Sequence, residues 1–335
     1  MENEIKRIDY FDFIKGLAII FVVAIHVFSN LMVQNELNYF FIILRNPLNC
    51  AVPIFCCCSS YFLVTKDFSL KSGRKNLIHQ ILRVYIPTLV CSLPYLIIDC
   101  IHNKSFIVSL IKYLICDYSI YYFSILIIQF YIFLSLINNT KWIKYLIIYT
   151  IFSFVWIGII TYYINPRFHL SLLFYASPFI GYLQYFSIGA NRRINGEKQI
   201  KIIHYVLLMI CFILCFCETI FITYKNNTIS GFGLKPSGIL FSTILLYILF
   251  NCHFESFEAN NFIKKLLCLL GKFSFGIYLV HIYIIKIFAH YKNLFHINQI
   301  LFWFIMTVIV LFISTAFLFL MKKLLRKFSF WCLGV

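Results

Sequence analysis

Long apolar runs separated by short polar stretches make up most of the chain. Each run is close to the ~20 residues that an α-helix needs to cross ~30 Å of hydrocarbon. The pattern predicts an all-α fold, a polytopic transmembrane helix bundle of about ten spans that forms one domain over residues 1–335. The predicted spans are 11–33, 39–63, 78–99, 118–137, 142–164, 172–190, 202–223, 237–253, 272–289 and 298–321. In the second span, Arg45, Pro47 and Pro53 predict a break.

The basic residues between the runs indicate the orientation of the bundle. With the N-terminus inside, 21 of the 29 Lys and Arg residues fall on the cytoplasmic side, and an excess of basic residues marks cytoplasmic loops. We therefore expect both termini to be cytoplasmic in a multi-pass protein of the cell membrane. The loops at 65–77, 191–201 and 254–271 are predicted to lie inside, and the loop at 224–236 outside.

The composition agrees with a membrane protein. The chain is 62% hydrophobic and only 12% charged, whereas a soluble domain has roughly 25% charged residues. Membrane lipid is therefore the expected surroundings of most of its surface. The net charge of +17 comes from clusters between the apolar runs, which indicates topology determinants and no nucleic-acid partner.

The thirteen cysteines lie mostly inside or beside apolar runs. Cysteine in such a place acts as a small hydrophobic residue. No matched pair of CxxC motifs and no HExxH motif occurs in the sequence. We therefore expect packing cysteines and no metal site.

Ionisable residues within a predicted span indicate functional positions, because each costs ~3 kcal/mol or more at the centre of a bilayer. Lys15 and His26 lie eleven positions apart in span one, close to three helical turns, and so share a face. Lys15 can extend to the inner headgroups, whereas His26 lies too deep and must face protein or water. His26 is either a proton acceptor or a packed histidine that hydrogen-bonds another helix.

Polar residues also follow one face of span nine. Ser274, Tyr278 and His281 are spaced i, i+4 and i+7, which is typical of one helical stripe. The stripe indicates a polar cavity between helices, or structural packing. In span seven, Glu218 lies near the outer end, where either solvation or catalysis explains it.

The stretch GRKNLIHQILRVYIP, residues 73–87, is a basic segment at the start of span three. Basic residues at an inner membrane face bind either the phosphates of coenzyme A or anionic lipid.

Five stretches together resemble the acyltransferase-3 family of membrane O-acyltransferases. In that family Arg or Lys precedes His by eleven positions in the first span, as Lys15 precedes His26 here. Three positions depart from the family pattern, since Ser60 replaces Gly, Gln80 replaces the first Arg of an RxxR motif, and Tyr122 replaces Trp. The stretches are IDYFDFIKGLAIIFVVAIH (8–26), VPIFCCCSSYFL (52–63), HQILRVYIP (79–87), YYFSILIIQFYIF (121–133) and SFGIYLVH (274–281).

The resemblance implies transfer of an acyl group, acetyl in the simplest case, from acyl-CoA to a hydroxyl of a cell-surface polysaccharide or its lipid-linked precursor. It implies that His26 is the base or acyl relay and that Lys15 orients the site or contacts the CoA phosphates. His281 and Tyr278 complete the polar cavity, and Arg83 binds the nucleotide phosphates of CoA. The expected partners are a glycan acceptor and other polysaccharide-synthesis proteins, and the chemistry needs no metal.

The chain is also similar to the intercellular-adhesion branch of the family, whose members have been described both as acyl-modifying enzymes and as polymer exporters. An exporter of a surface polysaccharide is therefore the alternative, with the same polar residues along a translocation path. A catalytically inactive scaffold is a third reading, which the presence of both Lys15 and His26 disfavours. Release of CoA from acyl-CoA by the purified protein distinguishes the enzyme from the exporter.

Overall fold

A computed structural model describes residues 8–31, 39–70, 72–102, 105–118, 120–137, 140–168, 170, 172–226, 233–254, 257–290 and 298–335. Within these ranges all regular structure is helical and no strand occurs. The α-helices are α1 (Asp9–Leu31), α2 (Tyr39–Arg45), α3 (Ala51–Leu63), α4 (Arg74–Ile101), α5 (Phe106–Leu114), α6 (Tyr122–Leu136), α7 (Leu146–Ile159), α8 (Asn165–Phe168), α9 (Leu172–Ala176), α10 (Leu183–Asn195), α11 (Ile202–Asn226), α12 (Pro236–Asn251), α13 (Phe262–Lys272), α14 (Ser274–His290), α15 (Gln299–Leu325) and α16 (Phe328–Leu333).

The all-helical membrane fold predicted from the apolar runs is confirmed. In the part of the chain that the structure describes, six helices are long and apolar enough to cross a bilayer, or seven if the bent pair α13–α14 counts as one span. The helices α6 and α12 coincide with predicted spans four and eight but have only 15 and 16 residues. The number of ten spans and the cytoplasmic position of both termini stay predictions.

The predicted break in span two is present at Arg45 and Pro47, whereas Pro53 lies inside the continuous helix α3. The α-helix α2 ends at Arg45, and a 3₁₀-helix follows over Asn46–Cys50 before α3 begins. Pro47 lies in the first turn of this 3₁₀-helix, where its missing N–H costs least. Arg45 and, within the 3₁₀-helix, Asn46 and Cys50 are buried.

The prediction of one continuous span over 172–190 is wrong. The helix α9 ends at Ala176, Pro178 is extended, and a 3₁₀-turn over Phe179–Tyr182 leads into α10. Proline removes a backbone donor and disfavours helical geometry in the residue before it, so a helix ends there. The side chain of Gln129 on α6 accepts the Phe179 N–H at 3.0 Å, which satisfies one donor of the broken helix.

The prediction of a loop over 254–271 is also wrong in its second half, because α13 begins at Phe262. The Asn261 side chain accepts the Lys264 N–H at 2.9 Å and caps this helix, as Asn does at helix N-termini. The helix α13 is bent by 82° from α14. A Cβ at Gly271 would lie 1.8 Å from the Asp12 carbonyl oxygen, so α13 packs on α1 with no space for a side chain.

The buried core is continuous around α1, α3, α10 and α14. The helices α3 and α10 pack closely because Gly189 has no side chain, and a Cβ there would lie 2.1 Å from the Cys57 carbonyl oxygen and 2.2 Å from Ser60 Oγ. Gly189 thus accommodates Ser60, where the family has Gly. All thirteen cysteines are free thiols, and nine of them are buried, which agrees with packing residues.

Candidate active site

A cavity of about 760 Å³ lies between α1, α3, α4, α6 and α14. Lys15 and His26 both line it. Because they are eleven residues apart on one helix, the cavity extends over ~16 Å along α1. The cavity therefore joins two separate groups of polar side chains, one near each of these residues.

The basic end of the cavity is the group formed by Lys15, Lys66, Arg83 and Lys272, all of which line it. Gly271, next to Lys272, packs on Asp12, one turn from Lys15. Burial, and after it the positive charge of Arg83, lowers the pKa of Lys66. This end therefore concentrates positive charge where a polyanionic ligand binds favourably.

Lys15 is fixed by an ion pair within α1. Its Nζ lies 2.9 Å from Asp12 Oδ1, and the two side chains are 26% and 4% exposed. An ammonium group has three donors, so the pair leaves donors of Lys15 for a ligand in the cavity. The pair also keeps the buried Asp12 carboxylate neutralised.

Arg83 is exposed and lies at the cavity rim between α4 and α16. Its guanidinium stacks on the Phe330 ring at 5.2 Å. Gln80, one turn earlier on α4, lines the same wall. The RxxR motif of the family thus has its second position at the cavity here, and its first position carries a neutral amide.

Lys66 was not among the residues singled out from the sequence, although it lies at the basic end. It follows α3 in a loop that Asp67 fixes: Asp67 accepts the Ser69 N–H at 2.8 Å and also the Ser72 hydroxyl. These hydrogen bonds, that from Ser72 first, lower the pKa of Asp67. Lys66 thereby supplies a positive charge beside Arg83 where Gln80 supplies none. Its place in the loop after span two was the available signal.

The histidine end of the cavity is the group formed by His26, His281, Arg45 and Asn49. The rings of His26 and His281 lie 5.3 Å apart. The Nδ1 atom of His281 is 3.0 Å and 2.9 Å from the carbonyl oxygens of Ile277 and Tyr278. Two carbonyl acceptors assign the proton to Nδ1, so Nε2 carries the lone pair.

His281 is fully buried behind the cavity wall, and its Nε2 atom has no hydrogen-bond partner among the described residues. Tyr278 lines the cavity, but its hydroxyl donates to the Ile120 carbonyl oxygen. The hydroxyl of Tyr278 thus joins α14 to the residues before α6. The structure brings His26 and His281 together and gives Tyr278 a positioning contact.

Arg45 is the second cavity residue that the sequence did not single out as a site. Its side chain lines the cavity and is 4% exposed. Nη1 donates to Asn49 Oδ1 at 2.8 Å. His26 lines the same cavity, and the 3₁₀-helix that follows Arg45 packs on α1, which carries His26. The sequence signal was present, because an Arg inside an apolar run is costly, but it was read only as a break.

Glu218 and Lys235 belong to a separate polar cluster beside the cavity. Glu218 accepts from the Tyr162 hydroxyl and, at 3.0 Å, from the Ser237 N–H at the start of α12. Lys235 is 2% exposed and donates to Asn46 Oδ1 at 2.8 Å. The structure thus gives Glu218 a helix-capping contact, and it buries Lys235, which was counted with the predicted external loop.

No group of three or more His, Cys, Asp and Glu side chains lies close enough to hold a metal ion in the ranges that the structure describes. The site instead contains the basic end, neutral polar side chains such as Gln80 and Asn49, and the imidazoles of His26 and His281. This set binds anions and moves protons.

Helices long and apolar enough to cross a membrane, packed around such a cavity, are typical of an integral membrane protein. Residues 8–319 match the model of the acyltransferase domain of the acyltransferase-3 family. The match extends over nearly the whole chain, so the protein belongs to this family and is an acyltransferase. No curated protein and no solved structure matches the chain.

Proposed function

We propose that the protein moves an acyl group, acetyl in the simplest case, from acyl-CoA to a hydroxyl of a cell-surface polysaccharide or its lipid-linked precursor. The observation that carries this proposal is the cavity that joins a basic end to a histidine pair, His26 at the cavity and the buried His281 behind it. CoA is a long molecule with phosphates at one end and a thioester at the other. The two ends of the cavity offer matching chemistry in the same order.

The basic end holds the donor. Arg83 and Lys66 bind the phosphates of CoA through charge-assisted hydrogen bonds. Lys15, further into the cavity, contacts the donor while its ion pair with Asp12 fixes its position. The pantetheine arm then follows the cavity wall along α1 toward His26.

The histidine end performs the transfer. His26 takes the proton of the acceptor hydroxyl, whose oxygen attacks the thioester carbonyl carbon. The C–S bond breaks, and the CoA thiolate leaves and receives that proton as a thiol. The His281 ring lies 5.3 Å from the ring of His26, and its Nε2 lone pair stabilises the imidazolium that forms between the two proton transfers.

The basic end faces the cytoplasm in this proposal, with both chain termini on the same side. The positive-inside distribution supports this orientation, and cytosolic acyl-CoA requires it. In a cysteine-free background, Arg193→Cys should react with an impermeant thiol reagent only after the inner face is opened. Labelling of position 193 from outside intact cells contradicts the orientation.

Purified protein in lipid nanodiscs with acetyl-CoA tests the activity. We expect release of the CoA thiol that increases when a polysaccharide acceptor is added, with the acyl label recovered on the glycan. An exporter gives neither thiol release nor labelled glycan. If the glycan is labelled only from acyl-CoA donors with longer chains, the transferred group is not acetyl. The reaction is then still the transfer of an acyl group to the glycan.

A further inference from the structure

Arg45 places a permanent positive charge at the histidine end of the cavity. The proton transfers at His26 and His281 do not involve this charge. The side chain is 4% exposed within the protein, at the point where span two is broken. A charged residue inside a membrane bundle is costly. Arg45 lines the same cavity as His26, and the 3₁₀-helix that follows it packs on α1, so its position indicates a role in the reaction.

A hydrogen bond within the helix break between α2 and α3 fixes the orientation of the Arg45 guanidinium. Arg45 is the last residue of α2, and Asn49 lies one turn later in the 3₁₀-helix. Asn49 Oδ1 accepts from Nη1 at 2.8 Å, and both side chains line the cavity. A guanidinium has five donors in a rigid planar fork, so one fixed donor orients the others.

The acyl-transfer step creates a negative charge near this group. When the acceptor oxygen attacks the thioester carbon, the carbonyl oxygen becomes an oxyanion until the C–S bond breaks. His26 and the reacting carbon must be within hydrogen-bond reach of the same hydroxyl. A donor that shares the histidine end with His26 is therefore placed for that oxygen.

We propose that Arg45 is a catalytic residue whose guanidinium, oriented by Asn49, donates to the carbonyl oxygen of the acyl group as that oxygen becomes the tetrahedral oxyanion, and stabilises the charge that develops there. The proposal rests on the proposed function. The acceptor hydroxyl loses its proton to His26. As the new C–O bond forms, negative charge develops on the carbonyl oxygen, which accepts hydrogen bonds from Arg45. Collapse of the oxyanion restores the C=O bond, expels the CoA thiolate and returns the proton to it.

The kinetic test compares Arg45→Gln with the wild-type protein in nanodiscs. Loss of one preorganised oxyanion donor costs about 10²–10³-fold in kcat. We expect this loss for Arg45→Gln, with the KM for acetyl-CoA unchanged, because the oxyanion exists only in the transition state. The matched control is Arg167→Gln, an exposed arginine that does not line the cavity, and its kcat should equal that of the wild type.

Three outcomes overturn parts of this proposal. A wild-type kcat in Arg45→Gln shows that Arg45 takes no part in the reaction. An increased KM for the glycan at unchanged kcat in Arg45→Gln shows that Arg45 binds an acidic group of the acceptor and does not stabilise the oxyanion. Absence of transfer by the wild-type protein overturns the proposed function and the role of Arg45 with it.

Arg45→Lys decides the matter if Arg45→Gln does not accumulate in the membrane. Lys keeps the buried charge but not the planar fork. We expect this variant to accumulate and to lose about tenfold in kcat at unchanged KM for acetyl-CoA. A wild-type kcat in Arg45→Lys, together with failure of Arg45→Gln to accumulate, assigns Arg45 to folding and overturns the proposal.

Discussion

The two ends of the cavity differ in exposure and in the way their side chains are held. At the basic end, Arg83 and Lys66 are exposed, and the pKa of Lys66 is lowered by partial burial and by Arg83. At the histidine end, Arg45 is 4% exposed and His281 is 0% exposed. Both of these buried side chains are fixed by hydrogen bonds to residues close in the chain.

The difference teaches what each end is suited for. Exposed cations in loops and at helix ends bind a charged ligand in its ground state with little cost in protein stability. Buried, fixed groups in a low-dielectric site stabilise charge that appears during a reaction. Substitutions at the basic end should therefore change KM, and substitutions at the histidine end should change kcat.

His26→Asn should have the largest effect. Asn keeps a hydrogen bond but does not take a proton at neutral pH, and loss of a general base typically costs 10²–10⁴-fold in rate. We expect such a loss in kcat with normal accumulation of the protein, measured by acyl transfer to the polysaccharide. The matched control is His102→Asn, an exposed histidine at the end of α4. Near-normal transfer by His26→Asn makes His26 a packing residue.

At the basic end, Lys15→Ala should have the largest effect. It removes a cation from the cavity and leaves the Asp12 carboxylate, which is 4% exposed, without its 2.9 Å ion pair. Because the loss of a positive charge facing a buried carboxylate is costly and also removes a cation from the donor site, we expect more than about tenfold loss of acyl transfer. Lys15→Arg should retain most activity, since it keeps the charge. Equal activity of the two variants means that Lys15 only anchors the helix.

Arg83→Ala should act on binding of the donor. We expect the KM for acetyl-CoA to increase about tenfold, because a charge-assisted contact is lost at an exposed site. The kcat should change much less, since the phosphates lie far from the reacting carbon. Initial rates over a range of acetyl-CoA concentrations measure both constants. A decrease in kcat alone moves Arg83 out of the donor site and weakens the distinction between the ends.

Gln80→Arg should have the smallest effect, and in the opposite direction. Gln80 lines the cavity one turn before Arg83, and the substitution restores the first Arg of the family motif. We expect the KM for acetyl-CoA to decrease about twofold to fivefold, as for a solvent-exposed ion pair. The gain should be larger in a Lys66→Gln background, where that charge is missing. An increased KM in both backgrounds indicates that Gln80 faces no anion.

Most of the fold could be predicted because hydropathy is a property of whole segments. The helices α1, α4, α11 and α15 coincide with long apolar runs, since only a helix satisfies its backbone in lipid. The break at Pro178 could not be predicted from hydropathy averaged over the length of a span. A missing N–H changes the backbone geometry but not the mean hydropathy. The segment of α13 was predicted as a loop because its lysines were counted as loop charges. The helix nevertheless buries an apolar face between residues 262 and 271.

The candidate site was only partly predictable for a related reason. Lys15 and His26 share one helix, so their common face follows from the helical period. Arg45 and Lys66 lie outside the regular part of any predicted span, at the end of α2 and in the Asp67 loop, and both line the cavity. Such positions depend on contacts between elements that are distant in sequence, and no periodicity along one element records them.

Binding of acetyl-CoA to the His26→Asn protein is the measurement that tests the separation of donor binding from chemistry most directly. Calorimetric titration of the variant in nanodiscs, beside the wild type, gives the Kd without turnover. The two-ended cavity predicts an unchanged Kd in a protein that no longer transfers the acyl group, and a weakened Kd once Arg83→Ala is added. Loss of acetyl-CoA binding in His26→Asn alone, or full transfer by it, contradicts the account.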